Sequence, residues 1–265
     1  MIAALDRARP RLGRLVSTLV FFETIGSTND EAAQRSASPE PQAPSPEGLV
    51  VVADEQTSGR GRRGHTWFSP PGSGLYVSVV LAPAASIDPS RAFSLLTLAA
   101  GVALAEGIEQ ALGLRVELKW PNDLLVTGRK VGGILAESSG AGDRFDTVVV
   151  GYGINVQSTS FPPELRSQAT SLESELGRAV DRHHLLAETL VALARRYEDL
   201  LAGRFDAILD AWRQLAPRAC GARVAWTTNA GTASGTTAGI DDRGALLVRI
   251  GDRVEKIVSG EVRWL

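Results

Sequence analysis

Sulfur and imidazole are scarce in this chain. Cysteine occurs once in 265 residues, at Cys220, and histidine three times, at His65, His183 and His184. One cysteine excludes an internal disulfide and a cysteine metal cluster, and fits a reducing compartment. His183 and His184 are adjacent, and adjacent residues do not share a helix face, so they make a poor metal site. An excess of charge of one sign is also lacking. Lys and Arg total 28 against 30 Asp and Glu, for a formal net charge of −2. Proteins dedicated to duplex nucleic acid carry a basic excess, so that class is disfavoured. No apolar run reaches the roughly 18 residues of a membrane span. Arg7, Arg9, Arg11 and Arg14 are not followed by the apolar core of a signal peptide. There is no Walker A motif, no evident Ser-His-Asp order and no internal repeat. The length allows one large domain, or a large one with a small one attached.

What is present centres on Thr57-Ser58-Gly59-Arg60-Gly61-Arg62-Arg63-Gly64-His65-Thr66-Trp67. The apolar run 49–53 before it and Gly74–Leu81 after it read as strands, so the spacing predicts a cationic loop between two strands. Its glycines allow close backbone approach to a ligand. Its arginines offer forked donors to carboxylate or phosphate, and Trp67 a flat face for a base. A nucleotide-like ligand and a nucleic-acid contact both fit this stretch taken alone, as does a plain solvated basic loop.

In chain order, residues 17–22 read as a strand. Gly26 then makes a turn, and Ser27 or Thr28 caps a following helix. Three consecutive polar residues, Ser27, Thr28 and Asn29, exceed what one cap needs. Residues 36–47 are rich in proline and serine and read as a loop. Gln56 reads either as a turn cap or as an amide partner for a ligand. Residues 89–113 form a largely apolar helix stopped by Gly113. Two short strands around Lys119-Trp120-Pro121-Asn122-Asp123 and a third over 130–137 make a hairpin with polar groups at its mouth. Gly132 and Gly133 would weaken that strand unless a ligand or another backbone comes close. Residues 146–151 read as a core strand running into Tyr152-Gly153-Ile154-Asn155, with a glycine bulge as the bland alternative. Residues 158–170 read as a loop, and 181–202 and 205–215 as helices. From 221 the texture changes to about five short, evenly spaced strands, which suggests a small barrel. The expected domains are 1–218 and 219–265.

Cations and amides around one carboxylate, Asp123, suit nucleotidyl transfer. In that chemistry a substrate carboxylate attacks the α-phosphate of ATP, and fixed cations stabilise the developing charge. Five pieces in this order resemble biotin protein ligase, that is, biotin–[acetyl-CoA-carboxylase] ligase. They are Gly26-Ser27-Thr28-Asn29, the 55–64 stretch with Trp67, Lys119 to Asp123, Lys130 to Glu137, and Gly151 to Asn155. Ser-Thr-Asn alone is a weak sign; the arginine-glycine loop followed by Lys-Trp-Pro-Asn-Asp is a specific one.

The resemblance implies an α+β fold: a mixed sheet packed with helices, like the class II aminoacyl-tRNA synthetases, followed by a small SH3-like β-barrel. It implies that biotin and MgATP form biotinyl-5′-AMP, and that biotin then passes to a lysine of a biotin carboxyl carrier protein. By position it assigns Ser27, Thr28, Asn29, Gln56, Gly59, Arg60, Gly61, Arg62, Lys130 and Gly132 to biotin. It assigns Arg60, Arg62, Trp67, Lys119, Asn122, Asp123, Lys130 and Asn155 to the nucleotide, with Arg62 and Lys130 catalytic and Asp123 toward Mg²⁺. It implies a loop disordered until ligand arrives, a cytoplasmic protein with no DNA or membrane partner, and either a monomer or a homodimer. Nothing upstream of residue 17 has room for a winged helix, so a short, ligase-only form is expected. His65 stands where the family often has a further arginine. The rivals are a lipoate or octanoate ligase or transferase of the same fold, and a nucleic-acid module using residues 59–63.

Overall fold

The structure is a computed structural model, and it describes residues 1–37, 45–139, 147–157, 161–228 and 231–265. The expected loop over 36–47 falls largely on undescribed residues, as do the starts of the 146–151 strand and of the 158–170 loop.

A short N-terminal helix, α1 (Ile2–Ala8), precedes a seven-stranded mixed sheet. Its strands are β1 (Thr18–Ile25), β2 (Leu49–Gln56), β3 (Gly74–Leu81), β4 (Glu117–Lys119), β5 (Asp123–Val126), β6 (Arg129–Ser139) and β7 (Thr147–Asn155). They lie in the order β1-β2-β3-β7-β6-β5-β4, with β1 and β2 parallel and every other pair antiparallel. The order puts β7, late in sequence, in the centre beside β3. Residues far apart in the chain therefore meet on one surface.

The two sheet faces differ, following the period of two along a strand. Val50, Val52, Val77, Val79, Leu81, Val150, Tyr152 and Ile154 join the main core. That core also takes α3 (Pro89–Leu112), α5 (Arg182–Leu201) and α6 (Phe205–Leu215). α3 begins where the Asp88 carboxylate accepts from Arg91 N at 3.1 Å, and ends at Gly113 in the left-handed region. By length and composition α3 could cross a membrane, but it is mostly buried within the fold, as core helices of soluble proteins are. On the opposite face Leu49, Val51, Val80 and Val149 pack against Ala32 of α2 (Thr28–Ala37). Beyond that small cluster the face becomes polar and glycine-rich: Ser78 on β3, Gly151, Gly153 and Asn155 on β7, and Gly133, Leu135 and Glu137 on β6.

The strand with a possible bulge is regular. β7 pairs without a break with β3 from Gly74↔Asn155 to Leu81↔Val148, and with β6 from Gly132↔Ile154 to Ser139↔Thr147. Its glycines answer to close approach instead. A Cβ at Gly151 would overlap the Asn29 amide, and one at Gly153 the Trp67 indole. The β5–β6 hairpin turns through Thr127 and Gly128, both at positive φ, and carries an irregularity between Leu124 and Leu125. Helix α4 (Leu172–Leu176), capped by Ser171, was not foreseen, and a five-residue helix leaves little period to read.

The C-terminal strands are β8 (Cys220–Thr228), β9 (Gly231–Ile240), β10 (Leu246–Ile250), β11 (Arg253–Ile257) and β12 (Val262–Trp264). They form an all-antiparallel sheet in the order β11-β10-β9-β8-β12. The unit is seated on the larger one: Trp120 Nε1 donates to Gly244 O at 3.0 Å, and Arg91 Nε to Asp242 O at 3.0 Å.

Candidate active site

A cavity of about 530 Å³ lies over the polar sheet face. It collects the residues singled out from the sequence, except Gly59 and Gly132. Those two answer to packing. A Cβ at Gly59 would sit 2.5 Å from Trp67 O, and one at Gly132 2.9 Å from Gly153 O. By strand alternation the glycine facing the cavity is Gly133.

One end of the cavity is a wall of amides and hydroxyls. Thr28 N donates to Gln56 Oε1 at 2.8 Å, and Gln56 Nε2 donates to Ser69 Oγ at 3.0 Å, so the Gln56 amide has one orientation. Thr28 Oγ1 lies 3.0 Å from Gln56 Oε1 and 2.8 Å from Ser78 Oγ, which is 2.6 Å from Asn29 Oδ1. These three oxygen–oxygen contacts have two hydroxyl hydrogens between them. A buried array one hydrogen short gains from a ligand that brings an N–H. Ser27 is nearer to a plain cap, since its Oγ accepts from Asp30 N at 3.5 Å. Its neighbours Thr28 and Asn29 are the two engaged in the wall.

The other end is cationic. Lys130 Nζ lies 2.5 Å from Asp123 Oδ1 and 5.4 Å from the centre of the Trp67 ring. Arg62 Nη1 is 3.4 Å from Asn122 Oδ1, while Asn122 Nδ2 donates to Ile134 O at 2.7 Å. Burial pulls the Arg62 guanidinium below its usual pKa, Asp123 opposes that, and Arg63 adds to it. A partly desolvated cation with incomplete compensation favours an anionic ligand. Lys119 Nζ and Arg218 Cζ stand 5.4 and 4.4 Å from the Trp264 ring centre. Asn155 Nδ2 donates to Thr170 O at 3.0 Å. The Trp67 Nε1 is buried with no hydrogen-bond partner, and its ring rests over Gly153 and Gly133.

Between the ends runs the arginine-glycine loop. The loop is folded on itself. Gly61 N donates to His65 O at 2.7 Å, His65 N to Arg62 O at 3.1 Å, and Trp67 N to Gly59 O at 2.8 Å. Arg63 takes φ 55°, which costs a non-glycine residue strain and tightens the turn. The Arg60 side chain is engaged by two carboxylates. It is ion-paired with Asp30 and, at 2.5 Å, with Glu137, and the Asp30 hydrogen bond raises its pKa. Arg60 also lines the cavity. His65 Nε2 lies 4.0 Å from Glu261 Oε2, both exposed, so the substituted position faces the C-terminal unit.

Sequence reasoning missed Ser78, Ser69 and Glu137, the stretch from Phe161 to Ala169 that forms a further wall, and Gly260, Glu261 and Trp264 from the C-terminal unit. Ser78 had a signal: it is the one polar residue inside Tyr76–Leu81. Backbone pairing pins the further wall to Lys130, with Lys130 N donating to Gln168 O at 2.7 Å and Thr170 N to Lys130 O at 2.9 Å.

The biotin/lipoate A/B protein ligase family matches residues 21–155, the stretch that carries the sheet face just described. The bifunctional ligase/repressor BirA of Bacillus subtilis is 37% identical over 246 residues, covering 92% of this chain and 73% of that one. The chain belongs to this ligase family. The match extends past the larger unit, because residues 219–263 fit the biotin protein ligase C-terminal domain. A second relative, the biotin–[acetyl-CoA-carboxylase] ligase of Paracoccus denitrificans, is 37% identical over 75% of this chain and 83% of its own. Among solved structures, biotin protein ligase from Aquifex aeolicus in complex with biotin and ATP superposes with a TM-score of 0.79 at 28% identity. It covers 94% of this chain and 99% of that one. The family's mixed sheet with an antiparallel C-terminal unit is the architecture found here.

Proposed function

We propose that this family member is an ATP-dependent biotin–[biotin carboxyl carrier protein] ligase. It activates biotin to biotinyl-5′-AMP and transfers biotin to the ε-amino group of a carrier lysine. The observation that carries the reading is that one cavity has a hydrogen-short amide and hydroxyl wall at one end and Lys130, Arg62 and Trp67 at the other. A ureido group supplies N–H donors to the first end; a carboxylate and an adenylate suit the second. The names of the relatives and of the A. aeolicus complex point the same way.

In this reading Thr28, Asn29 and Gln56, with Ser27 and the backbone of Arg60 and Gly61, hold the biotin head. Lys130 and Arg62 orient its carboxylate against the α-phosphate. A carboxylate oxygen forms the new bond to phosphorus as the bond to pyrophosphate breaks, and the two cations stabilise the charge on the phosphoryl oxygens. Trp67 carries the adenine, and Lys119, Asn122 and Asn155 border the nucleotide. In the second step a carrier lysine amine attacks the anhydride carbonyl, loses a proton and expels AMP.

Among the described residues no cluster of three or more metal-ligating side chains exists. Mg²⁺ binds ATP sites through one or two carboxylates plus substrate phosphates, and Asp123 fits that limited part. When bound, the ion would neutralise phosphate charge. The catalytic domain in this reading is 1–218 and the SH3-like barrel 219–265. The protein acts in the cytoplasm, without DNA or membrane partner, and both a monomer and a homodimer are compatible with it.

Lipoate and octanoate offer no N–H to the wall, which would stay buried and short of a hydrogen, a mismatch that strongly disfavours them. A nucleic-acid role for residues 59–63 conflicts with Arg60 being committed to two carboxylates. Competition among biotin, lipoate and octanoate in an ATP–pyrophosphate exchange assay separates these readings; exchange driven by lipoate or octanoate rather than biotin would overturn the one proposed. Arg62→Ala is expected to slow adenylate formation at least about tenfold, a loss of roughly 1.4 kcal/mol of transition-state stabilisation. Single-turnover rates check this, and a rate near wild type would displace Arg62 from its role.

A further inference from the structure

The arginine-glycine loop and the polar wall meet at one carboxylate that lies outside the cavity lining. Glu137 stands on β6 two residues beyond cavity-lining Leu135, on the same face. Its Oε2 accepts from Asn29 Nδ2 at 2.9 Å and its Oε1 from Arg60 Nη2 at 2.5 Å. Arg60 also pairs with Asp30 in the first turn of α2. The loop, the start of α2 and the centre of the sheet are thus joined at Glu137.

An ionised carboxylate only accepts hydrogen bonds, whereas the Asn29 amide has a donor end and an acceptor end. With Glu137 on one side, Asn29 turns Nδ2 toward it at 2.9 Å, and more weakly toward Leu135 O at 3.4 Å, and Oδ1 toward Ser78. That choice commits the Ser78 hydrogen to Asn29. The Thr28 hydroxyl is then left to face both Ser78 Oγ and Gln56 Oε1 with one hydrogen. The shorter of the two hydrogen bonds that set the Asn29 end of the wall is thus the one to the charged Glu137.

We propose that Glu137 is a positioning residue for the biotin head. It sets the orientation of the Asn29 amide and, through Arg60, holds the first limb of the loop against the same wall. The proposal rests on the biotin-ligase reading above. Its effect falls on biotin, since the contacts of Lys130, Lys119 and Arg62 run to Asp123, Trp264 and Asn122 and not to Glu137.

The test is a set of four proteins: wild type, Glu137→Gln, Arg60→Gln and the double variant. Biotin and ATP are varied separately in pyrophosphate exchange, and thermal midpoints are recorded alongside. Glutamine keeps the shape of Glu137 but can offer an N–H, so the stronger hold on the Asn29 orientation is removed and only the 3.4 Å contact to Leu135 O remains. Each single change is expected to raise the biotin KM about tenfold, the scale of losing a charge-assisted hydrogen bond, with the ATP KM within about twofold. The double variant is expected to be little worse than the poorer single, because Arg60 acts on the wall through its contact with Glu137, which Glu137→Gln already weakens.

A biotin KM within about twofold of wild type in Glu137→Gln, a parallel rise in the ATP KM, or fully multiplicative single effects would overturn the role. Should Glu137→Gln fail to fold, exposed Arg60→Gln decides: an unchanged biotin KM sinks the proposal. Wild-type protein without biotin-dependent exchange removes the ligase reading itself. Normal wild-type exchange with indifferent variants removes only the role of Glu137.

Discussion

Lys130→Ala is expected to lower the rate of biotinyl-adenylate formation by about 10²–10³-fold, the usual cost of removing one preorganised donor from developing charge. The ammonium does two things at once. It faces the cavity between the polar wall and Trp67, where a carboxylate and an α-phosphate would meet, and at 2.5 Å it neutralises Asp123. Alanine removes the cation and leaves Asp123 without its ion-pair partner beside the phosphates, with Arg62 the cation still near it. Lys130→Arg keeps the charge but replaces a compact ammonium with a planar fork, so it is expected to recover only part of the rate. Single-turnover formation of adenylate with purified variants measures both. A Lys130→Ala rate within a few-fold of wild type would mean that the cation does not touch the reacting groups.

The second large effect is expected at Gly153. The strand that carries it is paired on both sides in unbroken register, so its backbone has little freedom to yield. A methyl group there would overlap the Trp67 indole at Nε1 and lie 2.9 Å from Cζ2. In Gly153→Ala the ring is therefore expected to leave its seat. Stacking of a base on an aromatic side chain is worth roughly 1–3 kcal/mol, so the ATP KM should rise about tenfold or more while biotin affinity stays near wild type. Calorimetric titration of biotin alongside steady-state ATP kinetics makes the comparison. An unchanged ATP KM would show that Trp67 is not the adenine shelf.

Much of the architecture was legible in the sequence because it depends on local period. The strands flanking the loop, the apolar helix ending at Gly113 and the short, evenly spaced C-terminal strands follow from alternation, capping and turn residues. The sequence also placed the two glycines of β6 as sites of close approach. What it could not resolve was which of them faced the cavity, since a shift of one residue exchanges the sheet faces. The carboxylate partners of Arg60 were out of reach for a related reason. Its partners Asp30 and Glu137 lie 30 and 77 residues away in the chain, and only the sheet order brings them together. The same holds for Ser78 with Asn29, and for the C-terminal residues that border the cavity. The motif residues were legible, whereas the residues that orient them belong to other strands.

The central claim is that one cavity takes biotin at the hydrogen-short wall and a nucleotide at the cationic end, then hands biotin to a lysine. The most direct measurement combines purified protein, ATP, Mg²⁺, labelled biotin and a biotin carboxyl carrier domain. Pyrophosphate release and label on the carrier are followed together. The account expects pyrophosphate release that depends on biotin, and label on one carrier lysine that is lost when that lysine is replaced. Pyrophosphate release indifferent to biotin, or a carrier that stays unlabelled while ATP is consumed, would contradict it.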